Sequence, residues 1–178
     1  FKRQIDESDI VHTFSGVRPL LSDDAKSAQA ITRDYKLELT GGKGEAPLLT
    51  VIGGKITTYR KLAQLAVDKL KPYFYNLPDC STHALTLPGG DFERRDELQV
   101  DLCGLYPFLS EALVARYVRT YGTLCREFLL GKGQLTELGH HFGHGLYQAE
   151  VDYLTTHEWA RTSDDMRWRR TKRGLVFN

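Results

Sequence analysis

The sequence predicts an α+β fold that is mainly α, and three observations carry this. A single stretch, Leu48 to Leu70, reads as strand, glycine turn and helix. Further on, Leu109, Leu113, Tyr117, Tyr121, Leu124 and Phe128 recur at helical spacing along one stripe. Between these, residues 76–90 hold Pro78, Pro88 and Gly89-Gly90, a composition that suits a boundary. Residues 1–76 are therefore assigned to a unit that holds the strands, and residues 77–178 to a helical one.

In the first unit, Asp6 to Asp9 suits a loop or a short helix start. Val11 to Ser15 alternates well enough for a strand. Pro19 restricts Arg18 to an extended conformation, so its guanidinium projects in a fixed direction. Arg18 then serves either a surface ion pair or a substrate. Ile31 to Leu39 alternates as a strand with Arg33 on its apolar side. A buried Arg needs a partner, here a bound anion or a distant carboxylate. Thr40 to Glu45 is a hairpin-type connection. The elements around Thr13, Tyr35 and Thr50 are expected to share one sheet. Its ends would bring Arg18, Arg33 and Lys55 within reach of one site suited to phosphate or carboxylate.

The central stretch follows. Leu48 to Ile52 is short, apolar and preceded by Pro47, as befits a buried strand. Gly53-Gly54 permits a turn without side-chain obstruction. From Tyr59 the period becomes helical, with Leu62, Ala63, Ala66, Val67 and Leu70 on the same face, and Pro72 closes the helix. Such a corner gathers backbone N–H groups and a positive helix end, and so can hold an anion or an electron-rich ring edge. It equally serves as a packing corner.

In the second unit, Leu98 and Leu102 mark a short helix. The Leu109–Phe128 stripe, widened by Val114, Val118, Cys125 and Leu129, predicts one longer helix stopped by Gly131 and Gly133. Glu150, Val151, Tyr153 and Leu154 belong to a further short element of open type. Thr162-Ser163-Asp164-Asp165 is a capping-box variant that opens a helix through Met166, Trp168 and Arg169, with Gly174 near its end.

Composition and motifs exclude several chemistries. The net charge of +1 gives no global field for nucleic acid. No apolar run approaches the roughly 20 residues needed to span a bilayer. Cys80, Cys103 and Cys125 are odd in number and widely spaced, which suits reduced thiols buried in a cytosolic protein. His140 and His144 lie four apart, but Gly139, Gly143 and Gly145 disfavour a helix there and no Cys or Asp completes a set, so no metal site is expected. The basic run Arg167, Arg169, Arg170, Lys172 and Arg173, interleaved with Trp168, suits a solvated or ion-paired face, with nucleic-acid or lipid contact as the other reading. The G-x-S-x-G and G-x-G-x-x-G motifs are absent.

Ser15-Gly16-Val17-Arg18-Pro19-Leu20, Ile31-Thr32-Arg33-Asp34-Tyr35 and Gly53-Gly54-Lys55-Ile56-Thr57-Thr58-Tyr59-Arg60 are similar to successive motifs of the FAD-dependent glycerol-3-phosphate dehydrogenases, the aerobic bacterial and mitochondrial type. Glu158-Trp159-Ala160-Arg161-Thr162 and Trp168-Arg169-Arg170-Thr171-Lys172 resemble the helical C-terminal domain of that family. The resemblance covers essentially the whole chain. It implies a C-terminal fragment, which Phe1-Lys2-Arg3-Gln4 suits: the last strands and helix of an FAD/substrate domain, then the helical domain. The family's Rossmann motif and histidine base would lie upstream.

The resemblance also implies roles. Arg18 and Arg33 would contact the phosphate or oxygens of glycerol 3-phosphate, and Lys55 would lie beside flavin and substrate. Gly53, Gly54, Lys55, Ile56 and Thr57 would line the pyrimidine edge of FAD, where a cation and a helix N-terminus stabilise negative charge. The parent would oxidise glycerol 3-phosphate to dihydroxyacetone phosphate and pass electrons to quinone. It would be cytoplasmic and peripheral on the inner membrane, a homodimer being compatible with this. The isolated chain would bind FAD weakly or not at all and be inactive. Two other readings stand beside this: a helical interaction or regulatory module without activity of its own, and another amino-acid-oxidase-like flavoenzyme, which the phosphate-suited trio of cations disfavours.

Overall fold

The structure, a computed structural model, describes residues 2, 4–17, 34–41 and 44–177. Among the described residues the chain is mainly helical and carries two small antiparallel sheets. It divides into two compact units, residues 14–85 and residues 1–13 with 86–178.

In the unit 14–85, β1 (Tyr35–Thr40) and β2 (Leu48–Gly53) form an antiparallel hairpin that pairs Tyr35 with Gly53 and Thr40 with Leu48. Alternation puts Tyr35, Leu37 and Leu39 on one half-buried side. Gly41, at φ +98°, closes the connection, where a Cβ would lie 2.8 Å from the Ala46 carbonyl oxygen. After β2 the chain makes a 3-10 turn over Ile56–Thr58 and enters α1 (Tyr59–Leu70). A second 3-10 turn, Lys71–Tyr73, holds Pro72 in its first positions, where no donor is needed. The inward side of α1 runs through Leu62, Leu65, Ala66 and Leu70; Tyr59, Ala63 and Val67, expected on that side, are exposed. No described residue of 14–85 is buried.

Two expectations change here. Val11 to Ser15 forms no strand, because among the described residues it has no neighbouring strand to take its backbone hydrogen bonds. The sheet around Tyr35 and Thr50 is accordingly two-stranded rather than three-stranded among the described residues.

The helical unit is built around α2 (Arg95–Leu105), α3 (Glu111–Tyr121), α4 (Cys125–Leu129) and α5 (Gln148–His157). Leu98 and Leu102 are the buried residues of α2. Ser110 caps α3, its hydroxyl oxygen accepting from the Leu113 N–H at 3.3 Å. The long helix expected over 109–129 is broken by a 3-10 turn at Gly122–Leu124. Gly122 adopts φ +57°, and a Cβ there would overlap the backbone of Gly89. The Thr123 N–H donates to the Gly89 carbonyl at 3.0 Å, which fixes that close approach. The stripe still buries as one surface: Tyr117 and Tyr121 meet Phe128 edge-on at 5.0 and 5.3 Å. Tyr153 of α5 joins them, 5.7 Å from Tyr121. Leu102, Val114, Leu129 and Leu154 fill the centre of this core, each contributing about 1.5–3 kcal/mol by burial.

Of the three cysteines only Cys125 is buried; Cys80 and Cys103 are part-exposed, so the expected core burial holds for one. Burial pushes the Cys125 thiol up to about 11.

Between α4 and α5 lies a short hairpin, β3 (His141–Gly143) and β4 (Leu146–Tyr147). After α5, Thr162 and Asp165 exchange hydrogen bonds as the capping box expected of them. The Asp165 N–H donates to the Thr162 hydroxyl oxygen at 3.2 Å, and the Thr162 N–H donates to Asp165 Oδ2 at 2.9 Å. The turn they open is π-helical over Asp165–Arg170, and the Thr171 N–H reaches back five residues to the Met166 carbonyl at 2.9 Å. Lys172, left-handed at φ +56°, ends it.

Candidate functional site

The candidate site is the corner at the end of β2. Gly53 and Gly54 take φ +76° and +100°, a conformation that side chains disfavour. At Gly54 a Cβ would come within 3.3 Å of Leu62 Cδ2, so the corner sits close on α1. Lys55 is extended and exposed, and the Ile56 side chain is 88% exposed. The Thr58 hydroxyl donates to the Lys55 carbonyl at 2.9 Å and holds the turn. At the start of the 3-10 turn, the N–H groups of Ile56 and Thr57 have no intrahelical acceptor. The Lys55 ammonium has no carboxylate partner among the described residues.

The corner therefore offers a cation, two backbone donors and an apolar side chain on one short segment. The helix start itself lies further along than the glycines suggest, since the 3-10 turn intervenes before Tyr59. Gly53, Gly54, Lys55, Ile56 and Thr57 are thus brought together; Arg18 and Arg33 lie outside the described residues.

A second polar constellation, missed by pattern reading, lies in the helical unit. Glu150 of α5 has no exposed surface and Arg116 of α3 is 6% exposed. Two guanidinium N–H groups donate to the two Glu150 carboxylate oxygens, each at 2.6 Å. The Tyr121 hydroxyl also donates to Glu150 at 2.6 Å. Arg116 donates further to the Gly145 carbonyl at 2.6 Å, and Arg173 donates to the His144 carbonyl. Two arginines thus hold successive carbonyls of the β3–β4 turn. Burial, then the Glu150 charge, drives the Tyr121 hydroxyl far above its usual range. The one signal in the sequence was a charge inside the apolar stripe Leu113-Val114-Ala115-Arg116-Tyr117-Val118.

The three histidines of this region serve the same hairpin. His141 Nε2 accepts from the Gly145 N–H at 3.1 Å, His140 packs edge-on against Phe142, and His144 against Phe177. Members of the basic run are tied locally. Arg167 donates to the Phe177 carbonyl and Arg170 to the Glu158 carbonyl, each at 2.7 Å. Arg169 pairs with Asp165 at 2.9 Å. Among the described residues no helix is long and apolar enough to cross a membrane.

A family profile described as the C-terminal domain of alpha-glycerophosphate oxidase matches residues 80–177, and the chain belongs to that family. Over its full length the chain is 50% identical to the aerobic glycerol-3-phosphate dehydrogenase of Escherichia coli (strain K12), and it covers 36% of that protein. It is 48% identical over its full length to the glycerol-3-phosphate dehydrogenase of Pseudomonas aeruginosa, covering 35% of it. Over 98% of its length it is 42% identical to the D-erythritol 1-phosphate dehydrogenase of Brucella abortus (strain 2308), again covering 35%. The chain thus spans about a third of the length of these relatives.

Proposed function

We propose that this chain forms part of an FAD-dependent dehydrogenase that oxidises glycerol 3-phosphate to dihydroxyacetone phosphate. The observation that carries this reading is its identity, along the whole chain, with proteins each named for dehydrogenation of a phosphorylated polyol. Residues 1–76 supply the last strands and helix of the FAD/substrate domain, and residues 77–178 the helical C-terminal domain.

The corner suits the cofactor on the chemistry of its donors. Glycines without Cβ let a planar ring approach the backbone, the Ile56 and Thr57 N–H groups donate toward its electron-rich edge, and the exposed Lys55 ammonium opposes negative charge there. When bound, FAD supplies the acceptor for the hydride that leaves the substrate's carbinol carbon. Lys55 would also lie beside the substrate, while Arg18 and Arg33 would contact its phosphate or oxygens, a role that charge-assisted guanidinium donors suit. Electrons pass on to quinone at a membrane surface that the parent protein meets peripherally, on the cytoplasmic side of the inner membrane.

In the full-length protein, glycerol 3-phosphate should reduce a quinone analogue. Lys55→Met should lower kcat by about 10²-fold, the scale of losing one preorganised charge-stabilising group. Turnover equal to wild type would remove Lys55 and the corner from the site.

A further inference from the structure

The residue at the N-cap of α1 does not cap the helix. Thr58 stands where a threonine hydroxyl ordinarily accepts from the backbone of the first turn, yet its side chain makes no such bond. The hydroxyl turns the other way. It donates to the Lys55 carbonyl at 2.9 Å, and the Lys55 N–H donates back to it at 3.4 Å. The Thr58 N–H donates to the same carbonyl at 3.0 Å. Three hydrogen bonds thus join residues 55 and 58, and they engage both backbone groups of Lys55.

The segment before Thr58 has few side-chain anchors. Gly53 and Gly54 bring the widest backbone freedom of any residue type. Lys55, Ile56 and Thr57 are all exposed. Among the described residues, the Thr58 hydroxyl is the one side-chain group hydrogen-bonded to the backbone of residues 54–57. With Lys55 engaged, the donors left over are the Ile56 and Thr57 N–H groups at the start of the 3-10 turn. A helix cap given up so that this turn is held marks a turn whose conformation is used.

We propose that Thr58 is a positioning residue for the cofactor: its hydroxyl locks the Lys55 turn, so that the Ile56 and Thr57 N–H groups and the Lys55 side chain are presented together to the electron-rich edge of FAD. The proposal rests on the function proposed above and concerns the same corner. Preorganised donors gain more as negative charge develops at that edge, so the lock favours reduced over oxidised FAD. Thr58→Val keeps the shape of the side chain and removes the hydroxyl, whereas Thr58→Ser keeps the hydroxyl and removes the methyl group.

The test uses the full-length holoenzyme with Thr58→Val, Thr58→Ala and Thr58→Ser. Two readouts need no turnover: the rate at which FAD leaves the diluted protein, followed by recovery of flavin fluorescence, and the midpoint potential of the bound flavin. Thr58→Val should release FAD about twofold to tenfold faster than wild type, the scale of one net hydrogen bond. Its potential should fall, because the reduced form loses more than the oxidised one. Thr58→Ser should behave as wild type. Should Thr58→Val not fold, Thr58→Ala, which adds no group to the turn, decides by the same readouts. Equal loss in Thr58→Ser and Thr58→Val overturns the lock, since the hydroxyl is then not what matters. Faster release with an unchanged potential overturns the placement of the donors at the electron-rich edge. If wild type holds no FAD, the function proposed above fails and the proposal fails with it. FAD held by wild type and released alike by every variant overturns the proposal alone.

Discussion

Glu150 is the residue on which the buried side-chain hydrogen bonds of the helical unit converge. A carboxylate with no exposed surface is costly unless its lone pairs are filled, and here Arg116 and Tyr121 fill them at 2.6 Å. The pair is tolerated because both carboxylate oxygens and both terminal guanidinium nitrogens are hydrogen-bonded, rather than because ion pairs stabilise by themselves. Glu150→Ala should therefore destabilise the chain by about 3–5 kcal/mol in chemical denaturation, since it strands the Arg116 charge. The double change Arg116→Met with Glu150→Leu should recover most of that loss. Equal destabilisation by both would mean that shape, not charge compensation, dominates the site. Half of this pair was legible: a charge within an apolar helical stripe announces that it needs a partner. The partner was not, because helical and strand periods report neighbours a few positions away and Glu150 is 34 residues distant. Gly53-Gly54 stood at the other extreme, legible because a glycine pair at a strand end has few uses besides a turn.

At the scale of elements, the capping box at Thr162 and Asp165 was visible in sequence because its partners sit three apart by definition. What followed it was not, because a π turn and an α turn share the same apolar spacing over six residues. Donation from the Arg161 and Thr162 N–H groups, then from the Thr162 hydroxyl, lowers the Asp165 carboxyl from 3.8 to about 2. A carboxyl depressed in the folded state contributes stability in full above its unfolded value and loses it as pH falls through the folded one. Asp165→Asn should thus be less stable than wild type above pH 3.8, with the two converging as pH approaches about 2. Denaturation midpoints measured across that window check this, and a constant gap down to the lowest pH would contradict it. The break at Gly122 was hidden for a related reason. A single 3-10 turn keeps Tyr121, Cys125 and Phe128 on one face, so the stripe runs on as if the helix were continuous. Only the contact with Gly89, 33 positions earlier, shows why a glycine is required there.

For the whole molecule, the two units differ in how far the chain alone completes them. The helical unit buries a continuous aromatic and aliphatic core, whereas among the described residues of 14–85 none is buried and the sheet has two strands. Hydrophobic pattern made the first legible, since the residues of its stripe pack on one another within the helical unit. The strand expected at Val11 to Ser15 failed because pattern specifies a face but not the neighbour that must supply hydrogen bonds. The same asymmetry bears on the cofactor. With Gly53 to Thr57 offering one edge and no dinucleotide fingerprint in the sequence, the isolated chain should retain little or no FAD after gel filtration, read by its flavin absorbance. Stoichiometric flavin on the isolated chain would contradict this.

The claim that joins these scales is that the chain carries the phosphate-binding cations of a polyol-phosphate dehydrogenase. It is tested most directly by steady-state kinetics of the full-length protein and its Arg18→Ala variant with glycerol 3-phosphate and with glycerol. The account expects KM for glycerol 3-phosphate to rise by about tenfold or more, the loss of one charge-assisted contact, with little change for glycerol. An equal change for both substrates, or none for either, would contradict it.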